Sequence, residues 1–308
     1  MLLTVLMACI KPSPEVPNVA APPTDPLQLV DWLAQEEARF EDLVPGTEKH
    51  IQWAHPEAPG KTELAVVYLH GFSATRQEVS PLCEELGQRL HANVYFPRLT
   101  GHGRSDDAMA EATLEAWKAD AREAWSIGRT LGERVLLVST STGGTLATWL
   151  ATTVPQSEIS ALVLMSPNFF PRDGTARLLT WPGRRLLLKV ATGDTREWEP
   201  HNDGQATYWT WRYPSTALLP MMELVRLVER TDVSTITAPA LLITSPNDEV
   251  INPETAQARF ADFGSTRRAT WLVDAVGDPS NHVLAGDILS PDDTAPTLER
   301  ILAFVEGG

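Results

Sequence analysis

Cysteine is scarce in this chain of 308 residues, which contains only Cys9 and Cys83. One pair so placed forms neither a disulfide framework nor the ligand spacing of a zinc site. Cys83 lies in a segment with helical periodicity, where we expect a small, buried, apolar side chain. The cysteine count thus argues against a disulfide-stabilised scaffold, and we expect no bound metal.

The sequence also contains few positively charged residues relative to acidic ones. The 25 Lys and Arg residues are outnumbered by 40 Asp and Glu residues, so that the formal net charge is -15. Because nucleic-acid binding depends on a positively charged surface, we expect no nucleic-acid partner. The glycines form no phosphate-binding loop, and Gly101-His-Gly103 lacks the third glycine of a dinucleotide-binding motif. We therefore expect no cofactor.

Long hydrophobic runs are absent as well. The apolar stretch at the N-terminus ends at Cys9 and is too short to span a bilayer. The hydrophobic fraction of 43% and the charged fraction of 21% are those of a soluble globular protein. The chain is long enough for one large α/β domain with an insertion.

The N-terminal segment nevertheless carries a pattern. Leu6-Met-Ala-Cys9 resembles the lipobox of bacterial lipoproteins, in which the cysteine is acylated after cleavage, and the Pro-rich sequence that follows resembles their flexible tether. Unlike a typical signal peptide, the apolar run is short and has no preceding Lys or Arg. The resemblance implies lipidation at Cys9 and a membrane-anchored lipoprotein of the cell envelope. The alternative is a cytoplasmic protein with an incidental apolar start.

Strand-like runs alternate with helical patterns along most of the chain. Such alternation predicts a parallel, doubly wound sheet. The predicted strands span residues 49–55, 62–69, 94–96, 134–139, 161–165, 238–244 and 270–274, and helical periodicity covers residues 27–43, 76–91, 113–131 and 294–305. Between residues 168 and 235 the alternation stops and aromatic residues concentrate.

Residues 134–150 read as a buried strand, a sharp turn and a helix that begins with small residues. The turn, Ser139-Thr-Ser-Thr-Gly143, resembles the nucleophile elbow of α/β-hydrolases, usually Gly-x-Ser-x-Gly, with Ser139 in place of the first glycine. The resemblance makes Ser141 the expected nucleophile. Thr140 and Thr142 also carry hydroxyls, so a register shifted by one residue stays open.

Two further loops resemble parts of the same family. His70-Gly-Phe-Ser-Ala74 follows an apolar strand, as the oxyanion loop does, and the resemblance implies that the backbone N–H groups of Phe72 and Thr142 bind an oxyanion. Arg98-Leu-Thr-Gly-His-Gly-Arg-Ser105 resembles the Pro-Gly-His-Gly-x-Ser loop of lipases and esterases, with Thr100 where proline is usual. We expect that loop to shape the site rather than to take part in the chemistry.

The acid and the base of the family have counterparts in the last third of the chain. Asp248 follows the predicted strand 238–244, and His282 lies in the loop after the last strand. The order Ser141, Asp248, His282 is that of α/β-hydrolases. Asp274 and Asp278 lie nearer to His282 in sequence and are the alternative acids.

The resemblance as a whole implies an α/β-hydrolase fold, with a mostly parallel central sheet flanked by helices. It divides the chain into an apolar N-terminus and tether (1–26), a core (27–167 and 236–308) and a helical cap or lid (168–235) inserted after the sixth strand. A cap at this place resembles that of monoacylglycerol lipases and related carboxylesterases, where it excludes water and offers an apolar wall to an acyl chain.

The expected activity is hydrolysis of small-molecule carboxylic esters through an acyl-serine intermediate. A serine hydroxyl needs a neutral imidazole to take its proton, and the imidazole needs a carboxylate to fix its tautomer. Because fold alone does not determine the reaction, two alternatives stay open. One is a serine peptidase of the same fold, and the other is a hydrolase-like binding protein without catalysis. The sequence does not indicate whether the protein is a monomer or an oligomer.

Overall fold

In a computed structural model, which describes residues 21–181 and 183–307, a seven-stranded sheet forms the centre of the protein. Its order is β1-β3-β2-β4-β5-β8-β9, and only the edge strand β1 runs antiparallel to its neighbour. The strands span His50–Gln52 (β1), Thr62–Leu69 (β2), Asn93–Phe96 (β3), Gly132–Thr140 (β4), Ile159–Met165 (β5), Ala240–Thr244 (β8) and Arg268–Leu272 (β9), and β6 and β7 lie outside this sheet. The predicted mostly parallel sheet is confirmed.

Helices cover both faces of the sheet, and this explains the unbroken apolar runs of its central strands. In β4, Val135 and Leu137 belong to one buried hydrophobic cluster, whereas Leu136 and Val138 belong to the cluster on the opposite face. The first cluster includes residues of α1 (Pro26–Glu37), α3 (Leu114–Leu131), α4 (Thr142–Ala151), α7 (Leu218–Arg230) and α8 (Pro253–Ala261). The second includes residues of α2 (Leu82–Arg89) and α9 (Pro291–Glu306).

The helix predicted over residues 76–91 is divided in two. A single 3-10 turn spans Arg76–Glu78, and α2 begins only at Leu82. Pro81 stands between them, and its ring removes a backbone donor and restricts the residue before it. The short turn carries Glu78, which is buried although it is charged in its ordinary state.

The segment inserted into the sheet lies between β5 and β8, and it differs from the prediction in two respects. Five strands of the described chain precede it instead of six, because only the antiparallel edge strand and four parallel strands form before residue 168. It is not wholly helical, since it contains a two-stranded antiparallel ribbon of β6 (Thr195–Glu197) and β7 (Arg212–Pro214) besides α5 (Arg184–Thr192), α6 (Asp203–Tyr208) and α7. We call residues 168–235 the cap. Its last helix packs on the sheet side, because Leu224 and Val228 belong to the first core cluster.

Cys9 and most of the Pro-rich tether lie outside the described residues. Within residues 21–181 and 183–307, none of the helices has both the length and the apolar character needed to cross a bilayer.

Candidate active site

The winding of the sheet reverses between β2 and β4. From β2 the chain proceeds to β3 on one side, and it then returns to build β4, β5, β8 and β9 on the other side. Leu69 at the end of β2 pairs with Ser139 near the end of β4, so the two loops that follow these strands start side by side. Ligands of open α/β sheets bind in the crevice at such a reversal. These loops are the predicted oxyanion loop and the predicted nucleophile elbow.

Ser141 lies at the tip of a strained strand-to-helix turn. Its backbone angles are φ 53° and ψ -119°, which are unusual for a residue with a side chain. The turn requires glycine two residues later, because a Cβ at Gly143 would lie 2.0 Å from the carbonyl oxygen of Leu69. Ser139 is tolerated in place of the family's first glycine, and its hydroxyl donates to the carbonyl of Val163 over 3.1 Å. The departure from the family motif is therefore accommodated by one buried hydrogen bond.

The two neighbouring threonines have different surroundings. Thr140 is the last residue of β4, and its hydroxyl is hydrogen bonded to Tyr68. Thr142 is the first residue of α4, and its hydroxyl is buried without a partner among the described residues. Of residues 140–142, Ser141 alone has a positive φ, so the conformation of the turn distinguishes it from both neighbours.

The structure brings Asp248 and His282 together. His282 Nδ1 lies 2.8 Å from Asp248 Oδ2, and Asp248 Oδ1 accepts the backbone N–H groups of Val250 and Ile251. Asp248 is fully buried, and His282 is 8% exposed. The carboxylate therefore holds the ring by Nδ1 and leaves Nε2 as the nitrogen that can exchange a proton.

The alternative acids do not contact the imidazole ring. Asp278 is buried, but its Oδ2 accepts the backbone N–H groups of His282 and Val283, so it holds the turn that carries the histidine. Asp274 is exposed, and its carbonyl accepts a hydrogen bond from the Asn247 side chain. Of the three acids, Asp248 alone has the contact that fixes a tautomer.

The carboxylates around His282 stabilise the charged form of its ring. Burial opposes the charged imidazolium, but the charge and the hydrogen bond of Asp248, together with the charges of Asp278 and Glu78, raise the pKa of His282 above its ordinary value. Within the described residues no hydrogen bond joins the Ser141 hydroxyl to His282. Such bonds between nucleophile and base are often long without substrate and tighten when it is bound.

Two backbone N–H groups are available beside Ser141. In the described part of the chain, neither the N–H of Phe72 nor that of Thr142 is used in a hydrogen bond. Phe72 belongs to the loop after β2, and Thr142 begins α4, whose N-terminal end carries partial positive charge. Two such donors at the end of a helix are suited to stabilise an oxyanion.

The histidines of the two neighbouring loops are neutral supports. His70 Nε2 accepts the N–H of Leu99 at 3.1 Å, and burial lowers the pKa of His70 to about 4. Burial also lowers the pKa of His102 well below its ordinary value. The two rings lie 5.0 Å apart, centroid to centroid, and join the loops after β2 and β3. This arrangement fits the structural role expected for the loop 98–105.

The cap closes over the oxyanion loop. The Tyr213 ring meets the Phe72 ring edge-on with centroids 5.3 Å apart, and the N–H of Thr210 donates to the carbonyl of Ser73 at 2.7 Å. Trp209 belongs to a small buried cluster with Val283, the residue after His282. Residues 209–213 therefore contact both the oxyanion loop and the loop that carries the histidine.

Sequence reasoning missed one buried residue of this region, Glu78. Its carboxyl accepts the N–H of Gly71, directly before Phe72. A glutamate in a short polar turn normally lies at the surface, and nothing in the local pattern Arg76-Gln-Glu78 distinguishes it. The signal lies only in position, since the turn follows the oxyanion loop.

Known proteins resemble this chain in both sequence and fold. The model of the family described as serine aminopeptidase, S33, matches residues 60–275. The thermostable monoacylglycerol lipase of Bacillus sp. (strain H-257) is 26% identical over 226 residues, which are 71% of this chain and 84% of that protein.

Solved structures share the fold. A structure from LipS and LipT, two metagenome-derived lipolytic enzymes, superposes with a TM-score of 0.70 at 23% identity, over 86% of this chain and 100% of the other. The monoacylglycerol lipase of Paleococcus ferrophilus gives a TM-score of 0.61 at 18% identity, over 85% of this chain and 100% of the other. At these identities the structural similarity concerns the fold alone.

Proposed function

Because the chain belongs to the serine aminopeptidase S33 family, we propose that it is a serine hydrolase that cleaves carboxylic esters, with Ser141 as nucleophile, His282 as base and Asp248 as acid. One observation carries this proposal. Asp248 and His282, hydrogen bonded over 2.8 Å, lie in loops at the same edge of the sheet as Ser141. Ser141 is the positive-φ residue of the elbow, and among the described residues the N–H groups of Phe72 and Thr142 beside it have no hydrogen-bond partner. The family and the lipolytic relatives support the reaction class.

The proposed reaction follows from these contacts. Ser141 Oγ attacks the ester carbonyl while His282 Nε2 takes its proton, and Asp248 stabilises the imidazolium. The N–H groups of Phe72 and Thr142 bind the oxygen of the tetrahedral intermediate. His282 then protonates the departing alcohol, which leaves an acyl-serine. A water molecule, activated by the same histidine, releases the carboxylic acid and restores Ser141.

The substrate that we propose is a small-molecule ester of the monoacylglycerol kind. The sequence relative and one structural neighbour are named monoacylglycerol lipases, and another neighbour is lipolytic. Tyr213 and Trp209 of the cap are themselves buried against Phe72 and in the cluster with Val283, so the cap packs on the loops of the candidate site. The family is described as a serine aminopeptidase, but among the described residues no contact at Ser141 or His282 favours a peptide amine over an alcohol.

Labelling and turnover test this function together. The wild-type protein should hydrolyse monoacylglycerols and p-nitrophenyl esters faster than amino-acid anilides, and a fluorophosphonate should label Ser141. Ser141→Ala should abolish labelling and lower kcat by about four orders of magnitude or more, because the acyl intermediate no longer forms.

Thr142→Val is the matched control for the register, since it removes a neighbouring hydroxyl but keeps the backbone N–H. We expect it to retain labelling. Label found on Thr140 or Thr142, or labelling that persists in Ser141→Ala, would refute the assignment. Anilides cleaved faster than every ester would favour the peptidase alternative.

We propose in addition that the protein is anchored to a membrane through lipid on Cys9. The lipobox-like Leu6-Met-Ala-Cys9 and the Pro-rich sequence behind it support this proposal. A diacylglyceryl group with a further acyl chain exceeds the two chains needed for stable anchoring. The hydrolase would then work at a lipid surface of the cell envelope.

A further inference from the structure

We propose that Glu78 is a positioning residue that holds the oxyanion loop against the nucleophile elbow and assists His282 by its negative charge. This inference rests on the proposed serine hydrolase function and adds a fourth side chain to its site.

The carboxyl group of Glu78 joins the two loops directly. Its Oε1 accepts the N–H of Gly71 at 2.5 Å and the hydroxyl of Tyr68 at 2.7 Å. The Tyr68 hydroxyl in turn lies 2.9 Å from the hydroxyl of Thr140, the residue before Ser141. Gly71 precedes Phe72, whose N–H is one of the two free donors. The chain of contacts thus runs from the oxyanion loop through Glu78 and Tyr68 to the elbow.

Glu78 also lies close to the nucleophile. A Cβ placed on Gly71 would be 3.0 Å from Glu78 Oε2 and 3.3 Å from Ser141 Cβ, so the carboxyl and the serine flank the same glycine. This close approach explains why the second residue of His70-Gly71 lacks a side chain. A side chain here would crowd both the Glu78 carboxyl and Ser141.

The backbone of the same turn supports the histidine loop. Gly286, four residues after His282, has a φ of +108°, and a Cβ there would lie 2.4 Å from the carbonyl oxygen of Glu78. The N–H of Asp287 donates to the carbonyl of Ser80 at 2.9 Å. The turn Arg76–Glu78 therefore contacts the oxyanion loop by a side chain and the histidine loop by its backbone.

The charge of Glu78 acts on His282. Burial raises the pKa of Glu78 to about 7, although the hydrogen bonds from Tyr68 and Gly71 and the charge of His282 oppose the rise. The ionised carboxyl in turn contributes to the raised pKa of His282. The titratable groups that face Glu78 are Tyr68 from β2, Cys83 from α2 and His282 from the loop after β9. Ionised Glu78 thus favours the imidazolium of His282, and the imidazolium in turn favours ionised Glu78.

Glu78→Gln separates the charge from the hydrogen bonds. A glutamine oxygen still accepts from Gly71 and Tyr68, so the loop keeps its support, but the negative charge beside His282 is lost. The imidazolium then loses a stabilising partner and its pKa falls. The acid limb of the pH profile should therefore move to lower pH by about 0.5 units or more, with the plateau rate within about threefold of wild type.

Glu78→Ala removes both contributions. The peptide between Gly71 and Phe72 is then free to turn, and one oxyanion donor is misplaced in the transition state. We expect the plateau rate of labelling to fall about tenfold to a hundredfold. In steady-state kinetics with an ester substrate, Glu78→Ala should lower kcat and leave KM nearly unchanged, because the oxyanion donor acts on the transition state.

The measurement is the second-order rate constant of fluorophosphonate labelling of the full chain between about pH 5 and about pH 9. This rate constant depends on the nucleophile, the base and the oxyanion donors, whatever the class of substrate. Asp120→Asn is the matched control. Asp120 is a half-buried acid that accepts the N–H of Thr100 at 2.7 Å, and desolvation raises its pKa to about 6. Its charged neighbours are Lys49 and Glu123 rather than His282. Its acid limb should stay at the wild-type position.

An acid limb unmoved in Glu78→Gln, or a wild-type plateau rate in folded Glu78→Ala, would overturn the proposal. If Glu78→Ala fails to fold, Glu78→Gln decides alone, since a purely structural role would not move a pH limb. A wild-type protein that is labelled but cleaves no ester would refute the ester substrate and leave this test intact. A wild-type protein that takes no label would refute the nucleophile itself.

Discussion

Two buried aspartates near His282 have different tasks at the scale of single residues. Asp248 bonds the ring, whereas Asp278 bonds the backbone of the turn that carries it. Sequence distance favours Asp278, which is only four residues away. The structure favours Asp248, because a carboxylate sets the tautomer of an imidazole only by contacting its ring nitrogen.

Substitution to asparagine distinguishes the two roles. Asp248→Asn should lower kcat by about four orders of magnitude while the protein stays folded, because the amide can stabilise the wrong tautomer. Asp278→Asn should cost about tenfold or less, because the amide oxygen still accepts N–H groups of the turn. Steady-state kinetics and thermal melting measure both.

Asp274→Asn is the matched control, since Asp274 is exposed, and its kcat should remain within about twofold of wild type. A large loss in Asp278→Asn with a nearly normal Asp248→Asn would reassign the acid.

The positions that make up the candidate site were predictable from sequence wherever the chain order carries the information. Ser141, Asp248 and His282 each follow a strand, and parallel strands bring their ends to one edge. Glu78 was not predictable, because its role depends on three contacts from separate elements, to Gly71, Tyr68 and the loop at Gly286. The sequence around Glu78 contains no pattern that indicates these contacts.

The elbow is an example of what whole elements impose on a residue. β4 and α4 meet at an angle that leaves no room for a side chain at Gly143, where a Cβ would approach the carbonyl oxygen of Leu69 to 2.0 Å and that of His70 to 2.6 Å. Both carbonyls are backbone groups at the end of β2 and the start of the loop that follows it. The clash could therefore not be relieved by moving a flexible side chain.

Gly143→Ala should therefore separate α4 from β2. We expect a loss of about 3 kcal/mol or more in the free energy of unfolding, because the added methyl group would overlap backbone atoms rather than a side chain. Fluorophosphonate labelling should fall as well, since Ser141 and Thr142 shift with the helix. Urea unfolding and labelling measure the two effects.

Gly174→Ala is the control for the loss of glycine itself. No atom lies within 4 Å of a Cβ at Gly174, so its stability should change by less than about 0.5 kcal/mol. Equal effects of the two substitutions would show that the elbow tolerates a side chain.

Element boundaries show where sequence patterns fail. The central strands were predictable because they are apolar on both faces, as the alternation of Leu136 and Leu137 between the two clusters illustrates. The cap ribbon was not, since β6 is a three-residue exposed strand of charged and polar residues that only pairing with β7 makes regular. Short strands of this kind carry no period of their own.

At the scale of the whole molecule, the proposed anchor would place the hydrolase at a membrane surface. Cys9→Ser should release the protein into the soluble fraction, because acylation requires the thiol. Ester turnover should stay unchanged, since Cys9 has no part in the proposed chemistry. Expression in a bacterial host, detergent phase partitioning and intact-mass analysis measure the outcome.

Cys83→Ser is the matched control, because Cys83 is the other cysteine and lies buried in α2. It should leave partitioning unchanged. Wild-type protein that keeps Met1 and remains soluble in such a host would refute the anchor.

The contacts of the cap restrict how a substrate can enter. Residues 209–213 are tied to the oxyanion loop through the Thr210–Ser73 hydrogen bond and the Tyr213–Phe72 pair. If residues 209–213 moved aside, Phe72, a proposed oxyanion donor, would lose the ring that packs on it. The other half, with the 3-10 helix Gly174–Thr180 and α5, has exposed apolar side chains at Trp181 and Val190. For the proposed ester hydrolysis, acyl chains would then pass by that half, and substrate and product could exchange while the two proposed oxyanion donors stay in place.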